Sequence, residues 1–245
     1  MRRLAILFAA GASLAGMSAA TAAPTWYIGN DTTSGGATLF SSPNSHATYT
    51  NWYNSLPTLD HIAGDISGLT LGTIPGGGVT VPFGSVVDAT ITAVGTINNS
   101  IGLNGHYAAN NPNTGIHLRI PTSSLSIQFT QQIFGFSFYL TDLGDTATVQ
   151  TTMELYKNGA LVGSKQITCG VVPCVPLSLT AQNAAISFVG VSDPIGTFDE
   201  VLFTSTGSDT VAISDLMIEA PEPASLVLFG AGLVALATTR RRGRK

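Results

Sequence analysis

I-F-G-F-S-F-Y-L, residues 133–140, is the stretch on which the fold turns. Phe134, Phe136, Phe138 and Leu140 recur with period two along one face of an extended strand, with Gly135, Ser137 and Tyr139 on the other. A slip of one residue would expose every phenylalanine, so burial fixes the register. Toward the N-terminus, I-H-L-R-I (116–120) and L-S-I-Q-F (125–129) alternate strictly. V-T-V-P-F (79–83) and V-V-D-A-T-I-T-A-V (86–94) read as β-branched strands. Toward the C-terminus, T-V-Q-T-T-M-E-L-Y (148–156) and L-V-G-S-K-Q-I (161–167) flank Asn158-Gly159, a hairpin signal because both residues accept positive φ. I-S-F-V-G-V (186–191), E-V-L-F-T (200–204) and T-V-A-I-S-D-L-M-I-E (210–219) complete the set. About nine short strands, no helix of globular length and no repeat period predict an all-β fold. The expected form is an antiparallel β-sandwich, jelly-roll or immunoglobulin-like. Residues 23–78 are its loop-rich part.

Charge separates this body from the two ends of the chain. Between Ala23 and Pro221 only Arg119, Lys157 and Lys165 are basic, against thirteen acidic residues, a net charge of −10. Such a body repels phosphate backbones, which excludes nucleic acid as a partner. Charged residues make up 10% of the chain, well below the roughly one quarter typical of globular domains. Few charges and many β-branched residues again favour strands.

Met1, Arg2 and Arg3 precede an apolar run from Leu4 to about Ala15 and a small-residue stretch ending in Ala20 and Ala22. This is the layout of a secretory signal peptide over residues 1–22, with cleavage expected after Ala22. At the other end, Pro221, Glu222 and Pro223 precede an apolar segment and the basic residues Arg240, Arg241, Arg242, Arg244 and Lys245. A greasy span with a basic end sits in a membrane with that end in the cytoplasm. Ala224 to Thr239 is 16 residues, about 24 Å of helix against about 30 Å of hydrocarbon. The shortness favours a segment that is clipped off over a lasting transmembrane helix.

The order of short motif, apolar segment and basic tail over residues 221–245 resembles the PEP-CTERM sorting signal of bacterial exported proteins. The resemblance implies processing by an exosortase, a membrane cysteine transpeptidase. It also implies an address in the cell envelope or outside the cell, with the C-terminal segment in the inner membrane before processing. The segment sometimes carries the label ice-binding-protein C-terminal domain, which is not an activity. Residues 129–219 (the Phe-rich strand, the Asn-Gly hairpin and F-V-G-V) are similar to β-sandwich ectodomains of that group. That similarity implies a module without a reaction, with sugar binding as one use.

Residues 23–219 offer few chemical motifs. G-F-S-F-Y around Ser137 and G-V-S-D-P around Ser192 lack the G-x-S-x-G elbow of a serine nucleophile. His46, His61, His106 and His117 form no metal-ligand pair; His61 stands beside Asp60 and near Asp65. No catalytic residue is assigned. Cys169 and Cys174, separated by four residues, are expected to form a short-loop disulfide in an exported chain. Asp142, Asp145 and Asp199 are loop acids that suit either a structural Ca²⁺ or solvated turns, and no other cofactor is implied. Trp26, Trp52, Tyr53 and Tyr107 lie in polar surroundings that suit stacking on sugars, or fold back onto the core.

These readings converge on an exported, non-enzymatic structural or adhesive β-sandwich of the envelope or extracellular matrix, sorted through its tail. The alternative is a carbohydrate-binding module or carbohydrate-active enzyme working on exopolysaccharide. Ice adsorption is disfavoured because the Thr-rich stretches do not repeat.

Overall fold

The computed structural model describes residues 23–31, 42–55, 60–99, 108–109, 115–121, 125–142, 150–167, 186–193, 195–207 and 210–220. The expected signal helix (1–22), the sorting segment (221–245) with its transmembrane helix, Cys169, Cys174, Tyr107 and Asp145 lie outside these residues. Among the described residues no helix is long and apolar enough to cross a membrane.

In chain order the elements begin with β1 (Thr25–Asp31), α1 (Pro43–Tyr53), β2 (Asp60–Ala63), β3 (Gly72–Thr73), β4 (Val79–Phe83), β5 (Val87–Thr92), β6 (Thr96–Asn98) and β7 (His117–Pro121). They continue with β8 (Ser126–Ile133), β9 (Gly135–Thr141), β10 (Thr151–Lys157), β11 (Ala160–Gln166), β12 (Ile186–Ser192), β13 (Phe198–Ser205) and β14 (Thr210–Ala220). One sheet has eight strands in the order β1-β12-β9-β14-β7-β6-β3, with β2 on the last residues of β14. The other has six, β11-β10-β13-β8-β5-β4. The strand pairings within both sheets are antiparallel. The two sheets enclose one core and make the β-sandwich.

The six-stranded sheet alternates, apart from the exposed edge strand β11 and the bulged ends of β8 and β13. Met153, Leu155, Val201, Phe203, Ile127, Ala89 and Ile91 point inward and are buried, while the residues between them meet solvent. The eight-stranded sheet does not alternate, because its middle is covered on both faces. Phe136, Phe138 and Leu140 enter the shared core; Tyr139 and Phe188 fill a second cluster with Trp52 under α1. Every residue of β9 and β12 is therefore buried.

Two details depart from the sequence expectation. Phe134 does not join the row of Phe136 and Phe138. It is the bend at which the chain leaves the six-stranded sheet after β8 and enters the eight-stranded one at β9. Its N–H donates to the Glu219 carbonyl at 2.8 Å and its own carbonyl accepts from the Asp193 N–H at 2.7 Å. The body also contains a helix of 11 residues, α1. Its N-cap residue, Ser42, makes no side-chain capping bond. The carboxylate of Asp31, at the end of β1, accepts instead from the backbone N–H of Asn44 (3.1 Å) and Ser45 (2.7 Å). An anion there satisfies orphan donors and opposes the positive end of the helix dipole.

β14 carries a bulge. Its register on β9 shifts between Ser214 and Met217, and Asp215 adopts φ 53°. Core residues therefore run Val211 and Ile213 before the bulge, then Leu216, Ile218 and Ala220 after it. One extra residue reverses the phase of the strand, which swings Glu219 to the outer face beneath α1.

Candidate functional site

Five paired strands bring one residue each into a single row at the end of the eight-stranded sheet. His61 of β2 lies opposite Glu219 of β14, Glu219 opposite Gly135 of β9, Gly135 opposite Ser192 of β12, and Ser192 opposite Thr25 of β1. Gly135 has no side chain, so the Glu219 carboxyl reaches over it to Ser192, whose hydroxyl contacts Oε2 at 2.9 Å. A Cβ on Gly135 would overlap that oxygen. On the other side His61 Nε2 stands 3.2 Å from Glu219 Oε1. That contact is out of line for a hydrogen bond, and neither atom has another bonding partner.

The C-terminal end of α1 roofs the row. The Tyr53 ring stacks on His61 with centroids 4.0 Å apart and planes 20° apart. Trp52 meets His61 edge-on at 5.5 Å, and its indole N–H donates to the Val191 carbonyl at 3.1 Å. Ser55 Oγ donates to the Trp52 carbonyl at 2.6 Å and lies 3.1 Å from Ser192 Oγ. The side chains of His61 and Glu219 are 7% and 0% exposed, so this pair is shielded from solvent, while Thr25 at the end of the row is exposed.

Proton counting distinguishes two charge states. With an ionised Glu219, Ser192 donates to the carboxylate and Ser55 donates to Trp52, leaving no proton between the two hydroxyls. With a protonated Glu219, the chain Glu219 to Ser192 to Ser55 to the Trp52 carbonyl has a proton in every link. Burial acts in the same direction and pushes the Glu219 carboxyl up to about 7, against the Ser192 hydroxyl, which favours the charged form. Burial also holds His61 below its ordinary value, although Asp60 and a hydrogen bond to the Tyr53 backbone favour the charged ring. Burial drives both groups toward neutrality, which weakens the contact as an ion pair.

A stability profile follows. The native acid keeps its proton to about pH 7 while the unfolded one releases it near 4.5. The native state thus binds more protons in between, and the contribution, whole below the lower value, is lost as pH rises through the upper one. His61 has the opposite sign, its lowered value costing stability as pH falls below 6.5. Comparison with Glu219→Gln cancels the His61 part. From about pH 5 to 8 the wild type should lose about 2–3 kcal/mol relative to that variant. Urea unfolding at each pH measures it, and a constant difference would show that Glu219 is ionised throughout.

The row is not a hydrolytic triad. In a serine hydrolase the imidazole stands between the hydroxyl and the acid. Here the acid stands between Ser192 and His61, under a closed roof. What the arrangement does is clamp β2, β14, β9, β12 and α1 together.

The residues singled out from sequence are dispersed. Trp26 packs toward the shared core and Trp52 lies fully buried in the cluster on the opposite face of the same sheet, so they form no common platform. Tyr53 is 42% exposed but gives one face to His61. Asp199 accepts the Asn158 N–H on both oxygens, at 3.1 and 3.0 Å, and clasps the hairpin turn. Asp142 is buried at the far end of β9 in the other sheet. Among the described residues no three His, Cys, Asp or Glu gather to hold a metal ion. The row itself was only half visible: His61 stands out beside Asp60, whereas Glu219, its actual neighbour, reads as the polar end of a strand.

No curated protein matches the chain. Among solved structures it is similar to the K2 cleaved adhesin domain of Lys-gingipain, at 12% identity over 66% of this chain and 98% of that one, with a TM-score of 0.38. The K1 cleaved adhesin domain of Lys-gingipain from Porphyromonas gingivalis W83 is 12% identical over 63% of this chain and 100% of that one, with a TM-score of 0.32. A glycoside hydrolase family 43 arabinoxylan arabinofuranohydrolase from Bacillus subtilis gives 12% identity over 64% of this chain and 30% of that one, TM-score 0.32. Likeness at this distance carries no functional argument. The tail is specific: residues 219–242 match the PEP-CTERM protein-sorting motif, the mark of an exported protein, and the match begins at Glu219 itself.

Proposed function

We propose that this is an exported, non-enzymatic β-sandwich with a structural or adhesive role in the cell envelope or extracellular matrix, delivered by exosortase processing of its tail. The observation that carries the reading is the junction between body and motif. β14 is held by β9 along its length and by β7 and β2 on its other edge, and it stays paired to Ala220, opposite Asp60. Pro221 is the next residue. No slack separates the folded body from the sorting signal, so tension on the tail loads a central strand in shear. Such a junction suits a protein that is held and pulled on. The closed row of Ser192, Glu219 and His61, with the acid in the middle, supports the absence of catalysis.

Replacing Pro221, Glu222 and Pro223 together by alanine tests the delivery. In a strain with an active exosortase the wild type should be recovered trimmed, and the variant with its tail intact in the membrane fraction. Equal trimming of both, or an untrimmed wild type, would refute the processing. Turnover by the purified protein on a panel of polysaccharides would refute the non-enzymatic half.

A further inference from the structure

α1 covers the eight-stranded sheet, packing on β1 and β12. No described element covers the outer face of the six-stranded sheet, and its chemistry is ordered. Register places Leu161, Tyr156, Glu200, Gln128, Thr90 and Thr80 in one outward row, one residue from each strand. The row is about 24 Å long at about 4.8 Å per strand. In the next row, Glu154 lies opposite Leu202, and Leu202 opposite Ser126. The rows are tied together: Tyr156 Oη donates to Glu154 Oε2 at 2.9 Å, and Ser126 Oγ donates to Glu200 Oε1 at 3.2 Å. The tyrosine ring is thus fixed in place beside carboxylate and amide groups instead of rotating freely.

At the Asn158-Gly159 turn this face sinks into a groove of about 560 Å³, lined by Gln128, Gln131, Gln132, Asn158, Asp199 and Glu200. Neither row contains a lysine or arginine, and the charges present are negative, so an anionic polymer is repelled. The remaining groups are amides, hydroxyls and carboxylate oxygens around one ring, the set that bonds sugar hydroxyls and stacks on a pyranose. We propose that this face binds a neutral polysaccharide laid across the strands, with Tyr156 as the stacking platform and Gln128 and Glu200 as hydroxyl partners. The assignment rests on the adhesive reading above and names its ligand.

The test uses the full-length, unprocessed chain in detergent, so a failure of sorting does not affect it. Native gels containing mixed-linkage β-glucan, galactomannan, xylan or, as the anionic arm, alginate would report retardation, and titration with fragments of a retarding polymer would give affinities. Retardation by at least one neutral polymer and none by alginate is expected. Tyr156→Ala should weaken binding about tenfold, the loss of one aromatic contact. Gln128→Ala, at an exposed site that cannot disturb the core, should weaken it several-fold. Tyr53→Ala, on the other sheet, and about 0.5 M salt should leave it unchanged. Retardation by none of the neutral polymers would overturn the proposal. So would binding that survives Tyr156→Ala, is lost with Tyr53→Ala, or vanishes in salt, the last marking a charged ligand.

Discussion

Trp52→Ala is expected to destabilise the protein by about 3–5 kcal/mol, the range for truncating a fully buried large aromatic. Trp52 is 0% exposed. Its ring is one of the contacts through which α1 reaches Phe188, with centroids 6.1 Å apart, and His61, at 5.5 Å, beside those of Tyr49 and Tyr53. A domain of this kind holds about 5–15 kcal/mol in all, so the loss would leave it marginal. Trp52→Phe should cost less, since most of the ring packing survives and the bond to the Val191 carbonyl, worth about 1 kcal/mol, is lost. Equilibrium unfolding in urea compares the two. A Trp52→Ala loss under about 1 kcal/mol would mean that α1 is not docked on the sheet.

Gly135→Ala should cost about 2–3 kcal/mol although it adds a single methyl group. The added carbon would overlap Glu219 Oε2 and lie 2.7 Å from its Cδ and 3.0 Å from the Val191 carbonyl oxygen. Glu219 can yield only by releasing Ser192 and opening the row. The effect should therefore shrink in a Glu219→Ala background, giving a coupling of about 1–2 kcal/mol in a double-mutant cycle. Strict additivity would show that the backbone at Val191, not the carboxyl, is what the methyl meets.

The sequence exposed those parts of the fold whose causes are local. Runs of apolar and β-branched residues located β9, β12, β13 and β14 close to their observed limits, and Asn158-Gly159 makes the turn expected of it, at φ 50° and 76°. What it concealed has distant causes. P-N-S-H-A-T-Y-T-N-W-Y lacks a strong apolar stripe and good helix formers, and its cap comes from Asp31, twelve residues before Pro43. No local pattern announces such a helix, and with it went the roof over His61. Phe134 fits the alternation perfectly yet turns the corner between sheets. Glu219 was hidden by the bulge at Asp215, since the unbroken alternation of Val211 and Ile213 would have pointed it into the shared core. The neighbour of His61 lies 158 residues away, a separation that only the assembled sheet closes.

The row of His61, Glu219, Gly135, Ser192 and Thr25 also fixes how the module must stand. It puts the first residue of β1 and the last residues of β14 at one rim, three strand spacings or about 15 Å apart. A body held against a bilayer by either exit rests on that same rim. The opposite rim, where β1 ends at Asp31 and β9 at Thr141, is lifted about 23 Å away, the length of a seven-residue strand. Under the proposed delivery, severing one exit would leave the pose unchanged as long as the other still held, so the outward side of the module would be set before any cut was made.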